Sequence, residues 1–305
     1  MTFRILFAAL SVFSLTSFVF SASAQSGEVY GPGLSIERVR ELFAEDMYEA
    51  AAAEIDLLRS EYPDMDGLLR SEIEAYALFC NIFLGRPNVD ALVLEFEDKY
   101  HYAPELALAR FFYARHYFDK QDYVKALTVF DSLENSLLPR DAALEYVFDK
   151  AYCCMRVGRT GDARAGFSEI TAMEHNPYTV QSTYYLAYIN YTDKDFGKAL
   201  ELFGTISNDD RYGPSSRYYM LESKLMLKDY AYVVENGASV AGAVSQDMRP
   251  KVARMVSEAY YALGEPEQAK KWFESYSSSG AGLTRKDNYY FGVISYSLEA
   301  YYAAA

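Results

Sequence analysis

A small residue followed four positions later by an aromatic one recurs along most of this chain, and that spacing constrains the fold more than any other feature. The pair appears as Ala126–Phe130, Ala163–Phe167, Ala199–Phe203 and Ala269–Phe273. On an α-helix, residues i and i+4 share one face. Alanine there lets a neighbouring helix approach closely, and phenylalanine fills the space beside it. The intervals between successive alanines are 37, 36 and 70 residues, the last close to two units. Val233 takes the missing place, because Asp229-Tyr230-Ala231-Tyr232-Val233 imitates Asp122-Tyr123-Val124-Lys125-Ala126. Upstream, Ala91 and Ala51 are assigned equivalent places, and Ala305 is the next one downstream. A period of this length marks stacked supersecondary units, each covering the apolar face of its neighbour.

Each pair is preceded by a second helical run, as in Leu106 to Phe118, Ala142 to Val157, Thr179 to Tyr191 and Val252 to Leu263. Short turns separate the two runs. Gly158-Arg159-Thr160-Gly161-Asp162 and Gly264-Glu265-Pro266 suit a helix that ends on glycine. Asp122, Asp195 and Asp229 are placed to accept the free N–H groups that open the second helix. Pro63, Pro104, Pro139 and Pro177 stop one unit before the next begins. No run alternates as a strand would. The chain is therefore all-α, and its 51 % apolar content is enough to bury a sizeable core.

These features resemble the tetratricopeptide repeat family. Tyr113-Ala114, Tyr117, Ala126, Phe130 and Pro139 match its pattern, as do Leu186-Ala187, Ala199 and Phe203. Ala151, Ala163 and Phe167 match the centre of another unit, with Cys154 replacing the usual tyrosine. The unit around Val233 departs, having Gly237 where a large residue belongs, and the unit around Ala91 has Glu95 there with Phe96 beside it. The family's first-helix tryptophan is absent, since the single Trp272 lies in a second helix. The resemblance covers residues 35–305. It implies a right-handed superhelical solenoid of antiparallel helix pairs, with about seven full units and a partial eighth. That last unit starts near Arg285 and stops at Ala305, leaving Tyr289-Tyr290-Phe291, Tyr296 and Tyr301-Tyr302 without a covering helix. The expectation is a fragment of a longer repeat protein; the rival is a complete chain whose bare end docks a partner.

The first residues read as a targeting segment. Arg4 gives a short positive start, Ile5 to Phe20 is almost wholly apolar, and Ala22-Ser23-Ala24 supplies the small residues of a signal-peptidase site. Residues 1–24 are thus a signal peptide, cut between Ala24 and Gln25, and 25–34 a linker that includes Gly31-Pro32-Gly33. An uncleaved anchor is the alternative, although the apolar run is at the short end for crossing a bilayer. No cysteine sits at the cleavage site to accept a lipid, and no later stretch is long and apolar enough to span a membrane. The chain is read as exported to a bacterial periplasm.

Little in the sequence carries chemistry. His101, His116 and His175 are scattered, with no second His or Cys at metal-ligand spacing. Cys80, Cys153 and Cys154 lie in apolar helical runs and read as small buried hydrophobes. No phosphate-cradling glycine loop and no G-x-S-x-G nucleophile motif occurs. Asn190-Tyr191-Thr192 fits the glycosylation sequon but falls in a packed helix. No catalytic residue, metal or cofactor is assigned. With 43 acidic and 29 basic residues, a net charge of −14 disfavours nucleic acid and anionic membranes as partners.

In the family, first helices line a concave groove that holds an extended peptide or a partner helix. Carried over by repeat alignment, the resemblance places Phe111 and Arg115, then Phe148, Tyr152 and Arg156, on that surface. Tyr184, Tyr188 and Tyr191 follow, then Tyr218, Arg254 and Tyr261. Tyr184, Tyr188 and Tyr191 form one helical stripe. Aromatic anchors with flanking arginine are common at binding hot spots; the competing role for such a stripe is core packing. The family's Lys and Asn clamp for a terminal carboxylate is not evident, since Phe111, Phe148, Tyr184 and Tyr218 stand at the aligned places. The leading function is a non-catalytic scaffold of the cell envelope that binds another protein or peptide. The alternative is a sensory or docking array of a larger protein carrying a kinase, peptidase or regulator domain. A binder of glycans or small ligands ranks last. Mass spectrometry of the exported protein tests the leader directly: the chain is expected to begin at Gln25, and one still beginning at Met1 removes the cleavage site.

Overall fold

The computed structural model describes residues 32–65, 67–174, 176–278 and 282–298; the signal-peptide segment, His175 and Ala305 lie outside them. The described residues form fifteen α-helices and one short 3-10 turn, with no strand. The chain divides into two compact units, one ending at Arg159 and one starting at Thr160. The first holds α1 (Pro32–Ala44), α2 (Tyr48–Glu61), α3 (Gly67–Phe83), α4 (Val89–Lys99), α5 (Leu106–Asp119), α6 (Tyr123–Asp131) and α7 (Arg140–Arg156). The second holds α8 (Thr160–Ala172), α9 (Thr179–Thr192), α10 (Phe196–Thr205), α11 (Gly213–Met226) and α12 (Tyr230–Ala243). It continues with α13 (Arg249–Ala262), α14 (Pro266–Ser277) and α15 (Arg285–Ser297). None of these helices is long and apolar enough to cross a membrane. α1 starts at Pro32, inside the segment read as linker, because proline's fixed φ and missing N–H suit a first helical turn.

The recurring pairs sit at the centre of the packing. Ala126, Ala163, Ala199 and Ala269 are all 0 % exposed, as are Phe130, Phe167 and Phe203, and Phe273 is 1 %. Ala126, Ala199 and Ala269 lie in the second helix of a pair within one unit, where a larger side chain would hold the helices apart, and Ala163 lies on α8, which packs on α9. Upstream the register differs from the alignment. Ala91 is exposed, and Val89, Val93 and Phe96 form the buried face of α4. Val89 therefore takes the small-residue place, giving intervals of 37 residues to Ala126 and 38 back to Ala51. The turn before α4 accompanies the shift: it is longer, uses two left-handed residues, Gly85 (φ 63°) and Asn88 (φ 66°), and starts the helix at Val89 itself, where the other second helices start three residues before the small one.

Elsewhere the turns follow one plan. Asp122, Asp195 and Asp229 accept from the backbone N–H of Lys125, Lys198 and Tyr232 at 3.2, 3.3 and 3.3 Å. These bonds satisfy donors that have no partner within the helix. One residue earlier the chain turns through left-handed conformation at Gln121 (φ 61°), Lys194 (64°) and Lys228 (62°). Gly158 (84°) and Gly264 (80°) do the same where the sequence supplies glycine. Within each unit the first helices also touch one another in series, α1 to α3 to α5 to α7 and α9 to α11 to α13, so each unit has a side made of first helices.

Gly237 explains the unit that lacks a large residue. A Cβ at this position would come 2.2 Å from Val256 Cγ2 of α13. Val256, itself 0 % exposed, fills the space that phenylalanine fills in other units. Valine is β-branched and held in a close-packed interior, so it yields little. Gly237→Ala is expected to destabilise the protein by about 1–3 kcal/mol, despite alanine's better helix propensity. Urea unfolding of a double-mutant cycle with Val256→Ala checks the cause: the cost of Gly237→Ala should shrink in the Val256→Ala background, and simple additivity would rule out this contact.

Candidate functional site

The eleven residues assigned to the first-helix side divide by unit. In the first unit, Phe111 is 0 % exposed and Phe148 5 %, so both are core side chains and not contact surface. Phe111 packs between Phe112 and Phe130, with ring centroids 5.8 and 6.3 Å away. The repeat register gives the correct helix but not the depth to which its large rings sink. Arg115 is also drawn inward. Its Nη1 lies 2.9 Å from Glu145 and its Nε 3.3 Å from Asp149, the latter a contact without hydrogen-bond geometry. Arg156 remains exposed. Its guanidinium lies over Tyr123 (4.6 Å) and Tyr152 (5.8 Å), and Nη1 donates to the Tyr152 hydroxyl at 3.1 Å. Arg115 and Arg156 are thus engaged by their own unit.

The second unit presents a different surface. Tyr184, Tyr188 and Tyr191 on α9 are half-buried and pack around one ring that the alignment did not single out, Tyr219 on α11. Its centroid lies 6.4, 5.4 and 5.0 Å from theirs, and it stacks on Phe203 at 5.4 Å. Tyr218 is 6 % exposed, so its ring is core, corrected from the surface assignment, and it meets Tyr219 edge to face at 5.2 Å. Burial, and then the Glu222 charge, hold the phenols of Tyr191 and Tyr218 above their ordinary range.

The pattern extends to α13 and α15. Tyr261 on α13 and Tyr290 on α15 meet edge to face at 5.5 Å. Burial raises the Tyr290 phenol, and the Glu258 carboxylate of α13 raises it further. Arg254 lies 3.6 Å from Asp287, a buried carboxylate that also accepts from the Thr284 backbone N–H at 2.9 Å and the Tyr276 hydroxyl at 3.2 Å. Burial works against the Asp287 charge, but these donors and Arg254 outweigh it and lower its pKa. Glu222, Glu258 and Tyr290 were legible from register: Tyr218, Arg254 and Tyr290 are spaced by 36 residues, and so are Glu222 and Glu258.

Other features serve structure. Asn190 of the sequon is 3 % exposed, donates to Leu186 O at 2.8 Å and accepts from Arg164 at 2.6 Å, which leaves no room for a glycan. Cys80, Cys153 and Cys154 are buried, and burial raises the Cys80 thiol to about 11. Two clefts of about 220 and 370 Å³ lie among α2, α3 and α4, and the ion pair of Arg59 with Glu74 lines the smaller. They bring together no nucleophile and base.

No family model and no curated protein matches the chain. Solved structures do. Apo RapI shares 13 % identity at a TM-score of 0.57, over 87 % of this chain and 80 % of that one. Aspartyl phosphate phosphatase F from Bacillus subtilis shares 15 % at 0.49, over 92 % and 82 %. A tetratricopeptide repeat protein from Parabacteroides merdae shares 13 % at 0.46, over 90 % and 98 %. The fold is that of tetratricopeptide-like helical repeats, built from antiparallel helix pairs.

The acid pair around Arg115 has a measurable consequence. Asp149 is 4 % exposed, and burial, with Glu145 and Asp119 nearby, pushes its carboxyl from 3.8 up to about 8 against the pull of Arg115. Between those values the folded state holds a proton that the unfolded state has lost, so stability falls as pH rises through the window. Asp149→Asn is expected to flatten the fall in Tm between about pH 5 and about pH 8; an unchanged or steeper fall would contradict the buried, protonated carboxyl.

Proposed function

We propose that this protein is a non-catalytic interaction scaffold that holds an extended peptide or partner segment on the first-helix side of its second unit. The carrying observation is the tyrosine surface formed by α9, α11, α13 and α15. Tyr184, Tyr188 and Tyr191 are half-buried on Tyr219, so their rings are already ordered and a partner would cost them little further freedom. Rigid rings with hydroxyl edges near solvent suit protein contacts. The repeat fold supports the same reading, since stacked helix pairs create extended surfaces suited to a chain-like ligand.

The site of action in this proposal is the bacterial periplasm. Its support is the N-terminal sequence alone: Arg4, the apolar run from Ile5 to Phe20, and Ala22-Ser23-Ala24.

Site-specific photocross-linking in the host cell tests the proposal. A photoreactive phenylalanine at Tyr188 or Tyr261 should yield a protein adduct of defined mass. The same residue at Lys271, exposed on α14, should not. Adducts formed equally at all three positions, or at none, would count against a partner on this face.

A further inference from the structure

We infer that the partner segment lays an arginine side chain on the ring pair Tyr191–Phe196, in the position that Arg156 takes on the matching pair of the first unit. This inference rests on the partner-binding reading above and gives the partner a chemical class. In the first unit, Phe118 at the end of α5 and Tyr123 at the start of α6 meet edge to face at 5.8 Å. Tyr152 of α7 closes on both, at 5.6 and 5.7 Å. Arg156, one turn further along α7 and exposed, spreads its guanidinium over Tyr123 at 4.6 Å and Tyr152 at 5.8 Å. Its Nη1 donates to their hydroxyls at 3.4 and 3.1 Å. The chain thus carries its own instance of an arginine on this ring pair. A guanidinium suits the place because its plane stacks on a ring while its edge donates hydrogen bonds.

The second unit repeats the pair without the arginine. Left-handed turn residues fix the register: Gln121 (φ 61°) matches Lys194 (φ 64°), and Gly158 (φ 84°) matches Lys228 (φ 62°). Tyr191 then stands at the place of Phe118 and Phe196 at that of Tyr123, and their centroids lie 6.0 Å apart, again edge to face. Both rings are half-buried, and Tyr219 backs Tyr191 at 5.0 Å. The next first helix, α11, packs on α9 as α7 packs on α5. On it Met226, 53 % exposed, stands where Arg156 does. Glu222 takes the register position of Tyr152, and a carboxylate accepts from a guanidinium more strongly than a hydroxyl does. The cations close by in sequence are committed, Lys198 to Asp195 at 3.2 Å and Lys224 to Asp229 at 2.8 Å. Among the described residues no lysine or arginine lies over Tyr191 or Phe196. The net charge of −14 adds a long-range field that draws a basic chain.

Fluorescence anisotropy with the purified full chain at physiological salt tests this. The probes are labelled peptides alternating serine with arginine or with glutamine. Arginine–serine should bind and glutamine–serine should not. Met226→Arg gives the second unit the self-supplied arginine of the first. It should weaken arginine–serine binding by about tenfold, since the rings are then covered most of the time. Met173→Arg adds the same charge at an exposed position after α8 and should leave binding within about twofold, the range of a screened surface charge. Phe196→Leu keeps apolar bulk, removes a ring face and should weaken binding by about threefold. Arg156→Met uncovers the matching pair and should add a second binding site. Equal loss in Met226→Arg and Met173→Arg would reduce the effect to bulk charge and overturn the site. Unchanged binding in Met226→Arg would overturn it as well, and because Met226 is exposed this outcome stands even where Phe196→Leu unfolds. Met226→Arg in the cross-linking assay separates the two levels. Adducts at Tyr188 and Tyr261 that persist undiminished would leave the partner surface standing and remove its arginine. No adducts in the unsubstituted protein would remove the surface and this inference with it.

Discussion

The structure depends on how closely two helices approach at one small residue in each pair. At Ala126, Ala163, Ala199 and Ala269 a methyl group is completely covered, and the phenylalanine one turn later is covered with it. Interiors pack at crystal-like density, so a methylene more or less is felt. Gly237 and Val256 show the same volume divided differently. The second helix gives up its side chain entirely, and the partner helix inserts a branched one. What recurs along the chain is thus a filled volume between helices, and residue identity follows from it.

That distinction marks the limit of what can be read from sequence. The alanine–phenylalanine pairs, the aspartate caps and the glycine turns were legible because each is tied to a local requirement: an i, i+4 face, an orphan N–H, a positive φ. Ala91 was misassigned because residue type was matched where burial decides, and Val89 satisfies the volume instead. Lys194 and Lys228 carry no sign of their left-handed backbone, since the surrounding helices impose it. Depth was equally hidden. Phe111 and Tyr184 occupy aligned positions, yet one is sealed in the core and the other is half-buried, because neighbours contributed by other helices set the cover.

Tyrosine resolves a conflict inherent in the first-helix side. Each first helix must bury apolar surface against its neighbours while leaving an edge for water or a partner. Phenylalanine serves the first need only. Tyr184, Tyr188 and Tyr191 serve both, with rings packed around Tyr219 and side chains only half-buried. The Tyr191 hydroxyl holds its proton, since burial and the Glu222 charge both oppose ionisation.

The two units use the same helical side to opposite ends. In the first, Arg115 folds inward onto Glu145 and Asp149, and Arg156 lies on Tyr123 and Tyr152. The cations that would complement acids and rings are supplied by the chain itself. In the second, Arg254 turns to Asp287, a carboxylate already held by Thr284 and Tyr276. The repeat places an arginine on the first-helix side of both units, and the carboxylates of the neighbouring first helix decide whether it is drawn inward, as Arg115 is, or held at the edge, as Arg254 is.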